Sequence, residues 1–194
     1  MAIYPINKND LACTILTQNR LSNKDLLAIK KILIKKNPKR VNVWIDGSFN
    51  AETKKNGIGF VIENGEEYCY FGKQTRMSNS TDTELMGLAV ALSYILDTYD
   101  FSECSDTCVK VYYDSSVIIE HIPDIIWCKQ ERSPYTNIKS VLKRYKRHDI
   151  DIMFEHVKAH EKNINNNIAD AIAKYYSGIS LTKRERSLIR NKIC

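Results

Sequence analysis

A chain of 194 residues with 43% apolar content, four prolines and seven glycines is long enough for one well-buried domain plus a short appendage. Its first ten residues lack the apolar run of a signal peptide, and no stretch approaches the roughly eighteen consecutive apolar residues of a membrane span, so a soluble, cytoplasmic protein without membrane contact is expected. The net charge of +6 is unevenly spread: residues 24–40 hold seven Lys or Arg against Asp25, residues 181–194 hold five against Glu185, and the remainder has 17 bases against 21 acids.

A mildly acidic body between basic flanks suits a protein that holds a polyanion and keeps a carboxylate cluster for metal. Solvated surface lysines are the plainer explanation of either flank alone. The six cysteines, at 13, 69, 104, 108, 128 and 194, show neither CxxC spacing nor a His-x3-His partner, which argues against a disulfide framework or a zinc site. Asn79-Ser80-Thr81 fits a glycosylation sequon, but without a secretion signal it reads as an ordinary polar turn.

In chain order, residues 1–20 show no clear periodicity. From Ser22, a plausible N-cap, Leu26, Leu27, Ile29, Leu33 and Ile34 describe an amphipathic helix with a lysine-rich polar side, ending near Asn37-Pro38. Val41 to Asp46 alternates and reaches Gly47, which predicts a strand ending in a carboxylate. Gly57 to Ile62 and Glu66 to Phe71, separated by Glu63-Asn64-Gly65, predict two further strands joined by a tight hairpin.

Thr83 to Tyr99 carries Leu85, Leu88, Ala89, Leu92, Ile95 and Leu96 at helical spacing, with Glu84 in the first turn. Val109 to Asp114 predicts a fourth strand, Ser115 to His121 a short helix, Pro134 to Arg147 a longer helix and Ile150 to Val157 a fifth strand. Asn165 to Tyr176 predicts a final core helix stopped by Gly178, followed by a basic C-terminal helix or tail. A three-strand meander followed by alternating helix and strand implies an α/β fold with a mixed five-stranded sheet flanked by helices. The expected division is a basic helical extension over 1–40, a catalytic domain over 41–178 and a basic tail over 179–194.

Asp46 and Asp114 each close an apolar strand, Glu84 opens a helix, and Asp170 lies early in another beside Ala169, Ile172, Ala173 and Tyr176. Each acid alone is an ordinary cap or turn residue, but together they stand where element ends could converge. Ile45-Asp46-Gly47-Ser48, Thr83-Glu84-Leu85-Met86-Gly87, Tyr113-Asp114-Ser115, and Val157-Lys158-Ala159-His160 followed by Asn166-x3-Asp170 resemble type 1 ribonuclease H over residues 41–177. The Gly-Ile-Gly-Phe run at 57–60 fits as well.

The resemblance implies an endonuclease that hydrolyses the RNA strand of an RNA–DNA hybrid, leaving a 5′ phosphate and a 3′ hydroxyl, and acting as a monomer. It implies a centre built from Asp46, Glu84, Asp114 and Asp170 around two Mg²⁺ ions, with Mn²⁺ as a substitute. Such crowded carboxylates repel and raise one another's pKa unless cations are present, and magnesium prefers oxygen ligands. In a two-metal mechanism ions about 4 Å apart activate water and stabilise the leaving 3′ oxygen. By similarity Asp46 would bridge both ions, Asp170 would complete one site, and Glu84 with Asp114 the other.

His160 resembles the loop histidine that assists proton transfer or product release, with a surface histidine as the alternative. Substrate contacts are expected from Gly47, Ser48, Asn79, Ser80, Thr81, Ser115 and Asn166; Asn166 is the candidate for supporting a metal-bound water or the substrate. This chain departs from its relatives in having Ser80-Thr81 where an Asn pair or Asn-Gln commonly touches the minor groove. The 45 residues between Asp114 and His160 accommodate a short helix, a linker, a longer helix and a strand, so the basic handle of some bacterial relatives is expected to be absent or much shortened. Lys143, Arg144, Lys146 and Arg147, or the two basic flanks, are candidate replacements.

Trp44 reads as core. Trp127, with Ile125 and Ile126 in a linker, reads as cover for the sheet, with nucleic-acid contact as the alternative. Two rival functions stand beside the main one: a DNA-acting nuclease of the same superfamily, and a binding module that kept the fold and lost turnover.

Overall fold

The computed structural model describes residues 35–36, 40–65, 67–101, 107–127, 133–158 and 163–193. Five strands form one sheet: β1 (Arg40–Asn50), β2 (Lys55–Asn64), β3 (Glu67–Thr75), β4 (Cys108–Tyr113) and β5 (Asp151–His156). Their order across the sheet is β3-β2-β1-β4-β5. The first three run antiparallel through short turns, whereas β4 and β5 join parallel to β1 because helices intervene. This is the mixed sheet expected from the alternation of elements.

Among the described residues five helices cover it: α1 (Ser80–Thr98), α2 (Ser116–Trp127), α3 (Tyr135–Arg147), α4 (Ile164–Ser177) and α5 (Lys183–Ile193). Side chains alternate between the two faces of a strand. Val41, Val43 and Ile45 of β1 therefore face a core shared with Leu85, Leu88, Leu92 and Ile95 of α1 and with Ile138 and Tyr145 of α3. Trp44, one step out of phase, faces a second core made with Ile168, Ala169 and Ile172 of α4 and Ile189 of α5. Trp44 is 6% exposed and its ring stacks on Tyr112 at 4.7 Å, which fits the expected core role.

Several boundaries differ from those read in the sequence. Helix α1 begins at Ser80, three residues early, because Asn79 caps it: its Oδ1 accepts the Asp82 N–H at 2.8 Å. Helix α2 continues past His121 to Trp127, so Ile125, Ile126 and Trp127 belong to a helix, not to a linker. The expected N-terminal helix lies over residues mostly outside the described ones, and its last part is different: Lys35–Lys36 is extended and pairs in parallel with Tyr99–Asp100. No helix among the described residues is long and apolar enough to cross a membrane.

Candidate active site

Strands β1 and β4 are in register from Arg40↔Cys108 to Trp44↔Tyr112, and there the pairing stops. Asp46 and Asp114 each lie two residues beyond this last pair, so they flank the mouth that opens between adjacent parallel strands. Both keep the face of the stacked Trp44 and Tyr112, the face covered by α4. The mouth is also where the antiparallel meander meets the parallel half of the sheet, the kind of crevice in which open α/β sheets bind ligands.

Two helices deliver the remaining acids. The N-terminus of α1 is drawn onto β1 at Gly47, where a Cβ would stand 2.7 Å from the Glu84 nitrogen, closer than real atoms approach. The Gly47 backbone hydrogen bond reaches the Glu84 carboxylate and draws its pKa down. Helix α4 lies against β2 just as closely: a Cβ on Gly59 would meet the Ala169 carbonyl oxygen at 2.3 Å. That contact seats the next residue, Asp170, opposite Asp46.

The electrostatics show that the acids share one environment. Burial, then Glu84, Asp170 and Asp114, push Asp46 well above the ordinary carboxylate range, while Lys174 pulls it down. Asp46 is only 7% exposed. Burial, then Asp114, push Glu84 up to about 8, with Asp170 adding and the Gly47 amide opposing. These are carboxyls short of positive charge.

The other predicted residues are distributed as follows. Asn166, in the first turn of α4, donates from Nδ2 to Asp114 Oδ2 at 2.8 Å, and its Oδ1 is buried without a hydrogen-bond partner among the described residues. Ser48 accepts from Ser177 Oγ at 3.1 Å, which ties β1 to the end of α4. Asn79 serves as the α1 cap, while Ser80 and Thr81 occupy the first turn of α1. Ser115, at the start of α2, accepts the Ile118 N–H through its carbonyl. His160 lies outside the described residues.

Four residues at or beside the site were not anticipated. His156 Nε2 is 3.1 Å from the Asp114 carbonyl oxygen and donates to it in the matching tautomer. Asn56, fully buried, donates to Thr83 Oγ1 at 2.9 Å and accepts the Met77 N–H at 3.2 Å, pinning the segment before Glu84. Lys174 donates to Asp170 Oδ2 at 2.7 Å and to Glu185 Oε1 at 2.9 Å. For Lys174 a sequence signal existed, since it lies four residues after Asp170 on a helix. His156, Asn56 and Glu185 depend on long-range packing and had none.

An all-oxygen donor set, a deficit of positive charge and an unpartnered buried Asn166 oxygen suit divalent cations. As the side chains stand, no three His, Cys, Asp or Glu residues among the described ones form a ready-made shell. The Lys174 ammonium occupies Asp170 instead.

A mixed five-stranded sheet flanked by helices, with acids gathered where β1 and β4 part, is an α/β architecture of the ribonuclease H kind. The family model for RNase H matches residues 38–177, and the chain belongs to that family. Among solved structures it resembles LC11-RNase H1, isolated from compost by a metagenomic approach, with a TM-score of 0.55 at 17% identity, covering 72% of this chain and 96% of that one. The same protein in complex with RNA/DNA hybrid gives 0.54 at 15% identity, over 71% and 96%. The N-terminal RNase H domain of a Mycobacterium tuberculosis protein, fused to maltose-binding protein, gives 0.53 at 16% identity, over 72% and 94%. These likenesses carry the fold. No curated protein sequence matches the chain.

Proposed function

We propose that the chain is a type 1 ribonuclease H, an endonuclease that hydrolyses the RNA strand of RNA–DNA hybrids and leaves 5′-phosphate and 3′-hydroxyl ends. The observation that carries this reading is the gathering of acids where β1 and β4 part: their pairing ends two residues before Asp46 and Asp114, Gly47 admits the start of α1 at Glu84, and Gly59 admits α4 beside Asp170. Membership of the RNase H family and likeness to a structure bound to RNA/DNA hybrid support the substrate class. Residues 41–178 form the catalytic domain in this proposal, with the basic flanks as auxiliary duplex contacts.

The four carboxylates would hold two Mg²⁺ ions, or Mn²⁺ in their place. Bound there, such ions supply the Lewis acidity that activates water and stabilises the leaving 3′ oxygen. The residues of the chain set the stage for this. Asn166 orients the Asp114 carboxylate and leaves its own oxygen to accept from a water or a 2′ hydroxyl. The first turn of α1 presents Ser80 and Thr81 beside Glu84, where hydroxyls can meet the minor groove that distinguishes RNA from DNA. His160 assists proton transfer in this reading.

Cleavage of an end-labelled hybrid with Mg²⁺, beside single-stranded RNA and duplex DNA, tests the proposal with wild type and Asp46→Asn. The expected result is cutting of the hybrid's RNA strand alone, and its loss on substitution with hybrid binding retained. Binding without cutting under either Mg²⁺ or Mn²⁺ would make the chain a binding module. Cutting of duplex DNA would make it a DNA-acting relative.

A further inference from the structure

Lys174 lies one turn after Asp170 on α4, inside the carboxylate site. Its ammonium bridges two acids of different helices, Asp170 at 2.7 Å and Glu185 at 2.9 Å, and the three side chains are only 25%, 16% and 16% exposed. Glu185 is itself anchored. Its Oε2 accepts the Thr182 N–H at 2.6 Å, while Thr182 Oγ1 accepts the Glu185 N–H at 3.2 Å, a reciprocal capping box at the start of α5. Helix α5 in turn is held on the second core by buried Ile189, with Leu181 and Leu188 packed beside it. One Glu185 oxygen thus fixes the helix start and the other is aimed at Lys174.

We propose that Lys174 is a built-in counter-cation for the Asp170 side of the site, which an incoming divalent ion displaces, and that Glu185 retains the displaced ammonium and thereby sets metal affinity. This rests on the two-ion reading above and deepens it. Both partners hold the ammonium by charge-assisted bonds. Loss of Asp170 to an ion leaves Lys174 one anchored carboxylate, so its charge is not stranded in a partly buried position. Without Glu185 the same displacement would strand it, and an uncompensated buried charge is costly. Glu185 is therefore a positioning residue, acting on the metal through Lys174, and this contact couples α5 to the active site.

The test is Mg²⁺ binding to the full chain without nucleic acid, measured by titration calorimetry for wild type, Lys174→Met, Glu185→Gln and the double variant. Gln retains an acceptor for the capping box, and circular dichroism with a melting curve checks that each variant folds; Lys174→Gln replaces the Met variant if that one does not. The expected result is binding on the order of tenfold tighter in Lys174→Met and on the order of tenfold weaker in Glu185→Gln. The double variant should match Lys174→Met alone. An equal weakening by Glu185→Gln with and without Lys174 would show only diffuse charge and overturn the proposal, as would unchanged affinity in both single variants. Absence of Mg²⁺ binding in wild type and in Lys174→Met alike would overturn the two-ion reading and this one together.

Discussion

In the folded chain Asp46 and Glu84 bind a proton more tightly than ordinary carboxylates do. Burial and neighbouring acids raise both, Glu84 from 4.5 to about 8. A carboxyl whose folded pKa is raised stabilises the fold most below its unfolded value, and that contribution is lost as pH climbs toward the folded value. The melting midpoint of the metal-free protein should therefore fall between about pH 4.5 and about pH 8. Added Mg²⁺ should raise the midpoint more at about pH 8 than at about pH 5, because ions then replace fewer protons. Equal stabilisation at both would contradict the shared, cation-deficient environment. At this scale the four acids were candidates in the sequence through their joint motifs, since Asp46 and Asp114 close strands, Glu84 opens a helix and Asp170 lies within another. Lys174 was legible only in hindsight, and Glu185 looked like a lone acid in a basic tail.

Helix α4 organises the site as an element. It brings Asn166 to Asp114, Asp170 toward Asp46 and Lys174 between two acids, and it does so because Gly59 lets its backbone touch β2. Gly59→Ala forces a methyl group against the Ala169 carbonyl and should destabilise the fold by about 1–3 kcal/mol, the usual cost of overpacking. Thermal denaturation would show this, and hybrid cleavage at a temperature where the variant is folded should fall further than its stability implies. Retained activity with an unchanged midpoint would mean that the contact is not tight.

The segment before Glu84 makes a parallel case. Asn56→Ala would leave the partly buried Met77 amide without its acceptor and the buried Thr83 hydroxyl without this donor. A loss of about 1–3 kcal/mol in urea unfolding is expected. Element types were readable from hydrophobic period, but ends were less so. Asn79 starts α1 early through a side-chain cap, and α2 runs through Pro123, an ordinary stop signal in a sequence. Extended Lys35–Lys36 pairs with Tyr99–Asp100, a partnership that no local pattern announces.

Across the whole molecule, charge is divided between a carboxylate mouth and basic flanks. If the flank over residues 1–38 grips the duplex, its deletion should lower hybrid affinity and flatten the dependence of affinity on salt, since fewer counterions are released on binding. Unchanged affinity and salt slope would remove that role. Within the folded body, Arg144 is committed to Asp97 at 2.7 Å, which leaves Lys143, Lys146 and Arg147 as the exposed charges of the α3 patch. The C-terminal flank is likewise more than a tail: α5 packs on the second core and presents Glu185 to Lys174.

By itself the sequence determined the α/β class and the meander followed by helix-strand alternation, and its motifs named four acids as the candidate centre. Those properties are written in local periodicity and in the order of residues along the chain. Only the tertiary structure decided that Asp46 and Asp114 flank an opening where β1 and β4 part, that Asn166 and His156 meet Asp114, and that Lys174 shares its charge with the C-terminal helix. Such contacts join residues far apart in the chain, and the packing of glycine-lined surfaces that creates them leaves no periodic trace.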